Sequence, residues 1–118
     1  MIDNTKTVIV IRGQFEATHC WPDCPHEDVS FLRSPHRHVF HVEVKLMVFH
    51  DDRDLEFIQQ KRILKSGLNV YDGQFLGPNS CEMLAKEIMG FMNQRTKGAC
   101  VFVSVFEDGE NGAEVTRA

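Results

Sequence analysis

The sequence predicts an α+β fold built on an antiparallel sheet. Three observations carry this expectation: two long β-patterned stretches come first, two helical patterns follow with no strand between them, and the chain closes on a hairpin. The order strand, long loop, long strand, helix, helix, hairpin holds no repeated strand–helix–strand crossover, the unit a parallel sheet requires. At 118 residues the chain has room for one core, so a single domain over residues 1–118 is expected.

Each element follows from local chemistry. Thr7-Val8-Ile9-Val10-Ile11-Arg12 is a β-branched run that reads as a strand continuing towards Phe15. From Cys20 to Pro35 the chain reads as a loop. Its Trp21-Pro22 and Cys24-Pro25 pairs resist helix because proline pushes the preceding residue towards extended geometry. Between His36 and His50, every second residue gives His36, His38, Phe40, Val42, Val44, Leu46, Val48 and His50, against Arg37, Val39, His41, Glu43, Lys45, Met47 and Phe49. This period of two is a half-buried strand, with His36 and His38 at the leading end of its apolar face.

Asp51 to Asp54 is a solvated turn. Leu55, Ile58 and Arg62, interleaved with Phe57, Lys61 and Leu64, give helical spacing that stops at Ser66-Gly67. A second helix is expected after Pro78, with Asn79 as N-cap and Glu82 as its reciprocal partner. Leu84, Ala85, Ile88, Phe91 and Met92 form its buried stripe, and Lys97-Gly98 ends it. Cys100 to Phe106 is a strand, Asp108 to Gly112 a turn, and Ala113 to Thr116 a short return strand.

Composition narrows the function classes. Hydrophobic residues at 42% and charged residues at 25% exclude a disordered chain. Thirteen Lys and Arg against 17 Asp and Glu give a net charge of −4, without the basic face that nucleic-acid binding needs. No apolar run approaches the ~20 residues of a membrane span. The start Met1-Ile2-Asp3-Asn4-Thr5-Lys6 lacks the pattern of a signal peptide. Cys20, Cys24, Cys81 and Cys100 do not form a dense disulfide framework, so reduced thiols and a cytoplasmic setting are expected.

The histidines carry more information. Imidazoles at i and i+2 on a strand stand about 7 Å apart on one face, close enough to share a metal ion. His19, at the end of the first strand, is the natural third donor to His36 and His38. Three neutral imidazoles with an open fourth position suit a catalytic or ligand-accepting zinc site better than a structural one. The same histidines also read as polar strand-end residues held by ordinary hydrogen bonds. A rival site lies in Cys20-Trp21-Pro22-Asp23-Cys24-Pro25-His26, with two thiols and an imidazole but no evident fourth ligand. His41 and His50 have no partner at ligand spacing and read as surface or edge residues.

Phe15-Glu16-Ala17-Thr18-His19 and His36-Arg37-His38-Val39-Phe40 resemble the F-x-A-x-H and H-G-H-x-[YF] motifs of the 6-pyruvoyl and 6-carboxy tetrahydropterin synthases, the latter acting in queuosine biosynthesis. Leu55 to Lys61 is similar to the family's V-x-D-F-x-x-L-K region, and Asn79-Ser80-Cys81-Glu82 to its P-T-x-E. Val105-Phe106-Glu107 before a turn resembles the terminal strand whose glutamate anchors the pterin. The resemblance spans about 100 of the 118 residues. It implies the tunnelling fold: a four-stranded antiparallel sheet with two helices on one face, and subunits closing into a barrel. Hexamers of two trimers are common in the family, with active sites at subunit junctions. It further implies Zn2+ on His19, His36 and His38, and a pterin- or purine-type ligand met by Glu107 and Ser80. A carboxylate suits that edge, since it accepts two parallel N–H bonds.

The departures from the family fall on its proton carriers. The cysteine expected four to six residues before H-G-H is replaced by Ser30, Phe31 and Leu32. In Tyr71-Asp72-Gly73-Gln74-Phe75-Leu76-Gly77, which stands for L-D-H-x-x-L-N, Asp72 is kept as the remaining catalytic candidate. Gly73 replaces the histidine. Arg37 takes the middle glycine of H-G-H and, by strand alternation, points away from the metal. Each lost general acid or base removes roughly 10²- to 10⁴-fold in rate. Two functions therefore stand: a zinc-dependent lyase on dihydroneopterin triphosphate, or a non-catalytic homologue that binds or sequesters a pterin, purine or nucleotide. A structural domain with idle histidines is the third.

Overall fold

The computed structural model describes residues 4–117, so the amino-terminal reading at Met1-Ile2-Asp3 lies outside them. Four strands form one antiparallel sheet in the order β1-β2-β3-β4, with β1 Thr7–His19, β2 His36–Val48, β3 Cys100–Glu107 and β4 Asn111–Thr116. Two α-helices, α1 Phe57–Leu68 and α2 Cys81–Arg95, supply the core-facing layer. The expected sheet and helices are all present.

The period of two places the core on one face. Ile11, Phe15, Ala17 and His19 of β1 are buried together with Phe40, Val42, Val44 and Leu46 of β2 and Val103 and Val105 of β3. Leu64 and Leu68 of α1 and Leu84, Ala85, Ile88 and Met92 of α2 close over them. Burial of each large side chain contributes roughly 1.5–3 kcal/mol. The opposite face is solvated: Arg12 pairs with Glu43 at 2.8 Å, and Arg37 with Glu16. Arg37 thus points away from the histidines, as alternation requires.

β1 ends at His19 as expected, paired along its full length with β2, and the backbone of Gly73 to Gly77 flanks its other side. Thr18 N–H donates to Gln74 O at 3.0 Å and Leu76 N–H to Thr18 O at 2.7 Å. Several other boundaries differ from expectation: β2 stops at Val48 rather than His50, α2 at Arg95 before Lys97, and β4 begins at Asn111 rather than Ala113. The long loop contains a 3-10 segment, Glu27–Arg33. Helix α1 is capped by Glu56, whose carboxylate accepts from Ile58 and Gln59 N–H, and it passes through Gly67 to Leu68. Gly67 is a contact point rather than a stop, since a Cβ there would lie 2.6 Å from the Phe91 ring. Its buried face is Gln60, Leu64, Gly67 and Leu68, which leaves Phe57 and Ile58 exposed. Helix α2 is capped by Ser80, not Asn79: Ser80 Oγ accepts from Met83 N–H at 3.2 Å.

Candidate metal centre

The register of β1 on β2 sets His19 opposite His36 and Ala17 opposite His38. All three imidazoles stand on the core face at the end of the sheet where α2 begins. Their ring centroids lie 4.5 to 5.3 Å apart, and one ligand nitrogen from each lies within 4.8 Å of the others. Strand pairing thus joins residues far apart in sequence into one group, the sole such group among the described residues.

The outer ring nitrogens decide what this group can do. His19 Nδ1–H donates to Asn79 O at 2.8 Å, and His36 Nδ1–H to Ser34 O at 2.9 Å. His38 Nδ1–H donates to Asp108 Oδ2 at 2.7 Å, while Asp108 Oδ1 accepts from Val39 N–H. A carbonyl can only accept, so the proton sits on Nδ1 and each neutral ring keeps its lone pair on Nε2. His19 Nε2 and His38 Nε2 are buried and, on neutral rings, meet no donor among the described residues. Buried acceptors left unpaired are costly, and a metal ion satisfies them. Oriented imidazoles of this kind are the usual arrangement around zinc, so the donor set fits the ion.

Glu107 joins the group from β3. It pairs with Phe40 in register, sharing the face of His38, and its Oε2 lies 3.0 Å from His19 Nε2 and its Oε1 3.6 Å from His38 Nε2. The Glu107 carboxylate raises the His19 pKa against the opposing effect of burial, and contact with His19 lowers that of Glu107. Asp108 is held low by its bond to His38 and by Val39 N–H. It sits at φ 55°, a left-handed conformation uncommon for a residue with a Cβ.

Beside the histidines lies a cavity of about 520 Å³, lined among others by Trp21, Leu32, Ser80, Cys81, Met83 and Glu107. Its size is that of a small-molecule site. A larger hollow of about 730 Å³ lies away from His19, His36 and His38, lined among others by Arg12, His41, Glu43, Lys61 and Glu114. Ser80 lines the histidine cavity while its hydroxyl caps α2. Leu32 presents an apolar side chain there. Cys81 is pushed up to about 12, chiefly by burial and then by the charge of Glu107, so it stays a thiol.

The remaining candidates lie elsewhere. Asp72 is exposed and its Oδ1 accepts from Glu16 N–H at 3.0 Å. Gly73 stands beside it at φ 74°, with open space where a side chain would go. Of the rival group, Cys20 lines the cavity, but Cys24 turns its thiol to the carbonyls of His26 and Val29, and His26 meets the Trp21 ring edge-on. These three do not assemble. His41 and His50 are exposed. Sequence reasoning missed Asp108 and Cys81; the adjacency of Asp108 to Glu107, and of Cys81 to Ser80, was the only available signal.

Among solved structures, the fold matches 6-pyruvoyl tetrahydropterin synthase from Caenorhabditis elegans with a TM-score of 0.79, 14% identity and 100% coverage of both chains. The enzyme of the same name from Plasmodium falciparum matches with a TM-score of 0.73 and 15% identity, over 95% of this chain and 98% of that one. An uncharacterized protein from Wolinella succinogenes matches with a TM-score of 0.67 and 14% identity, over 98% of this chain and 100% of that one. No family model matches the chain, and no curated protein does. The chain therefore has the α+β fold of these synthase structures.

Proposed function

We propose that this chain is a zinc-binding, tetrahydropterin-synthase-like protein whose cavity takes a pterin- or purine-type ligand. The observation that carries the reading is the set of three imidazoles, each oriented through Nδ1, with Nε2 of His19 and His38 unpaired beside a small-molecule cavity. The synthase-like fold supports it from a separate direction.

The chain's residues divide the work. His19, His36 and His38 would hold zinc, which when bound supplies Lewis acidity towards a ligand oxygen. Glu107 would accept paired N–H bonds from the heterocycle edge, and Ser80 and Asn79 border the same space. Trp21, Leu32 and Met83 give the ring apolar surface and exclude water. Proton transfer is what the cavity lacks. Leu32 stands in its wall without a proton, and Cys81 is held as a thiol. Asp72 would serve as a proton carrier only for a neighbouring copy's site, in an assembly whose sites lie at subunit junctions. The reading includes a homo-oligomer, expected as a hexamer, a cytoplasmic setting and a single domain. No helix among the described residues is long and apolar enough to cross a membrane.

The test is incubation of zinc-loaded protein with dihydroneopterin triphosphate, following bound and free pteridine by mass spectrometry beside a chelator-treated sample. Bound but unchanged pteridine, lost on chelation, is the expected result. Chelator-sensitive product would make the protein a lyase that works without the usual cysteine and histidine. Absence of both binding and turnover would overturn the ligand assignment.

A further inference from the structure

We propose that in the ligand-free protein Glu107 is the fourth ligand of the metal held by His19, His36 and His38, so that an incoming ligand must draw this carboxylate away. The inference rests on the metal reading of the site and goes beyond it in assigning Glu107 two successive partners. Distances carry it. Ligand atoms at 2.0–2.1 Å from a tetrahedral zinc stand about 3.3–3.4 Å from one another. The Glu107 oxygens lie 3.0 Å and 3.6 Å from the free nitrogens of His19 and His38. One carboxylate therefore straddles two ligand nitrogens at the spacing of a coordination edge.

The fold brings it there by register rather than by chance of rotamer. Glu107 is the last residue of β3, opposite Phe40 and on the face that carries His38 and His36. Because Nδ1 of His19 and of His38 each donates outward, neutral rings turn lone pairs towards Glu107. Acceptors facing acceptors repel, and a cation between them reverses the sign. Charge is also matched: Glu107 on the metal and Asp108 on the outer nitrogen of His38 together balance a divalent ion. Carboxylate closure turns an open three-histidine site into a closed one, with access controlled by one side chain.

The test uses the full chain with zinc and, separately, with cobalt(II) as a spectroscopic substitute. Wild-type protein is expected to show the intense visible absorption of a four-coordinate cobalt centre. Glu107→Gln should weaken and shift that absorption and reduce zinc affinity, measured by competition with a chromophoric chelator, by about 100-fold or more, at or beyond the 10- to 100-fold of a lost outer partner. Dihydroneopterin triphosphate added to the wild-type cobalt protein should change its spectrum as the carboxylate leaves the metal. An unchanged spectrum with pteridine bound would overturn the displacement. Glu107→Asp, whose shorter carboxylate keeps the charge but not the reach, gives the same comparison if the glutamine variant fails to fold. Unchanged affinity and spectrum in the Glu107 variants, with metal binding abolished by His38→Ala, would overturn the assignment of Glu107 while leaving the metal reading intact. Metal binding indifferent to His38→Ala would overturn both.

Discussion

Asp108 holds His38 by a bond that a carboxylate makes and an amide does not. Both Asp108 oxygens accept, one from His38 Nδ1–H and one from Val39 N–H. Asn in its place would set an N–H₂ group against one of these donors, releasing either the ring or the strand. Asp108→Asn is therefore expected to lower zinc affinity by about 10- to 100-fold, measured by chelator competition. The titration of the same cluster gives a second prediction. In metal-stripped protein the raised pKa of His19 adds stability that is complete below its ordinary 6.5 and is lost as pH rises through the folded value. The lowered pKa of Glu107 adds stability that is present above 4.5 and is lost as pH falls through its folded value. Zinc requires deprotonated rings, so its stabilisation runs the other way and grows with pH. The difference in Tm between loaded and stripped protein should widen from about pH 6 to about pH 8, read by thermal scans. A constant difference would mean that the ion does not compete with protons for these nitrogens.

Among the elements, α2 matters most because its first turn forms the cavity wall. Ser80 caps it through Oγ, whereas Asn79 contributes a backbone carbonyl that accepts from His19. Ser80→Ala should cost about 1 kcal/mol by denaturant unfolding. Asn79→Ala should cost a small fraction of that, since its backbone acceptor survives the substitution. Sequence reasoning chose Asn79 because either residue satisfies the chemistry of a cap; only the backbone conformation tells them apart. The same limit applies to Gly67, which reads as a helix stop but serves a close approach to Phe91. At the end of β1, the Gly73–Gly77 backbone bonds to the strand's outer edge, and no local pattern announces a partner some 55 residues away.

At the scale of the whole molecule, the chain is elongated. Its principal extents are 58 × 27 × 22 Å and its radius of gyration is 16.1 Å, against about 13.5 Å for a compact chain of this length. The 13-residue β1 and β2 produce the length. The sheet ends on β1 at one side and β4 at the other, and its outer face carries half-exposed Val8 and Val10 among its ion pairs. Apart from the end of β1 that the Gly73–Gly77 backbone covers, these margins have no further strand among the described residues. Such an edge is a template for pairing. Sedimentation equilibrium is expected to give a closed homo-oligomer, with six copies as the proposed number. A monomer at micromolar concentration would remove the subunit-junction role proposed for Asp72.

Periodicity was legible along the chain before any contact was known. Alternation along His36 to Val48 set which side chains face the core, and it placed His36 and His38 on one face with Arg37 on the other, because side-chain direction in a strand depends only on parity. The helical stripe of α2 and the hairpin of β3 and β4 were legible for the same reason. Which side chains meet across strands was not legible in that way. That Glu107 faces Nε2 of His19, that Asp108 holds Nδ1 of His38, and that Cys24 and His26 stay apart depend on register and loop path. Those are set by the packing of the whole core, to which each local segment contributes only a part.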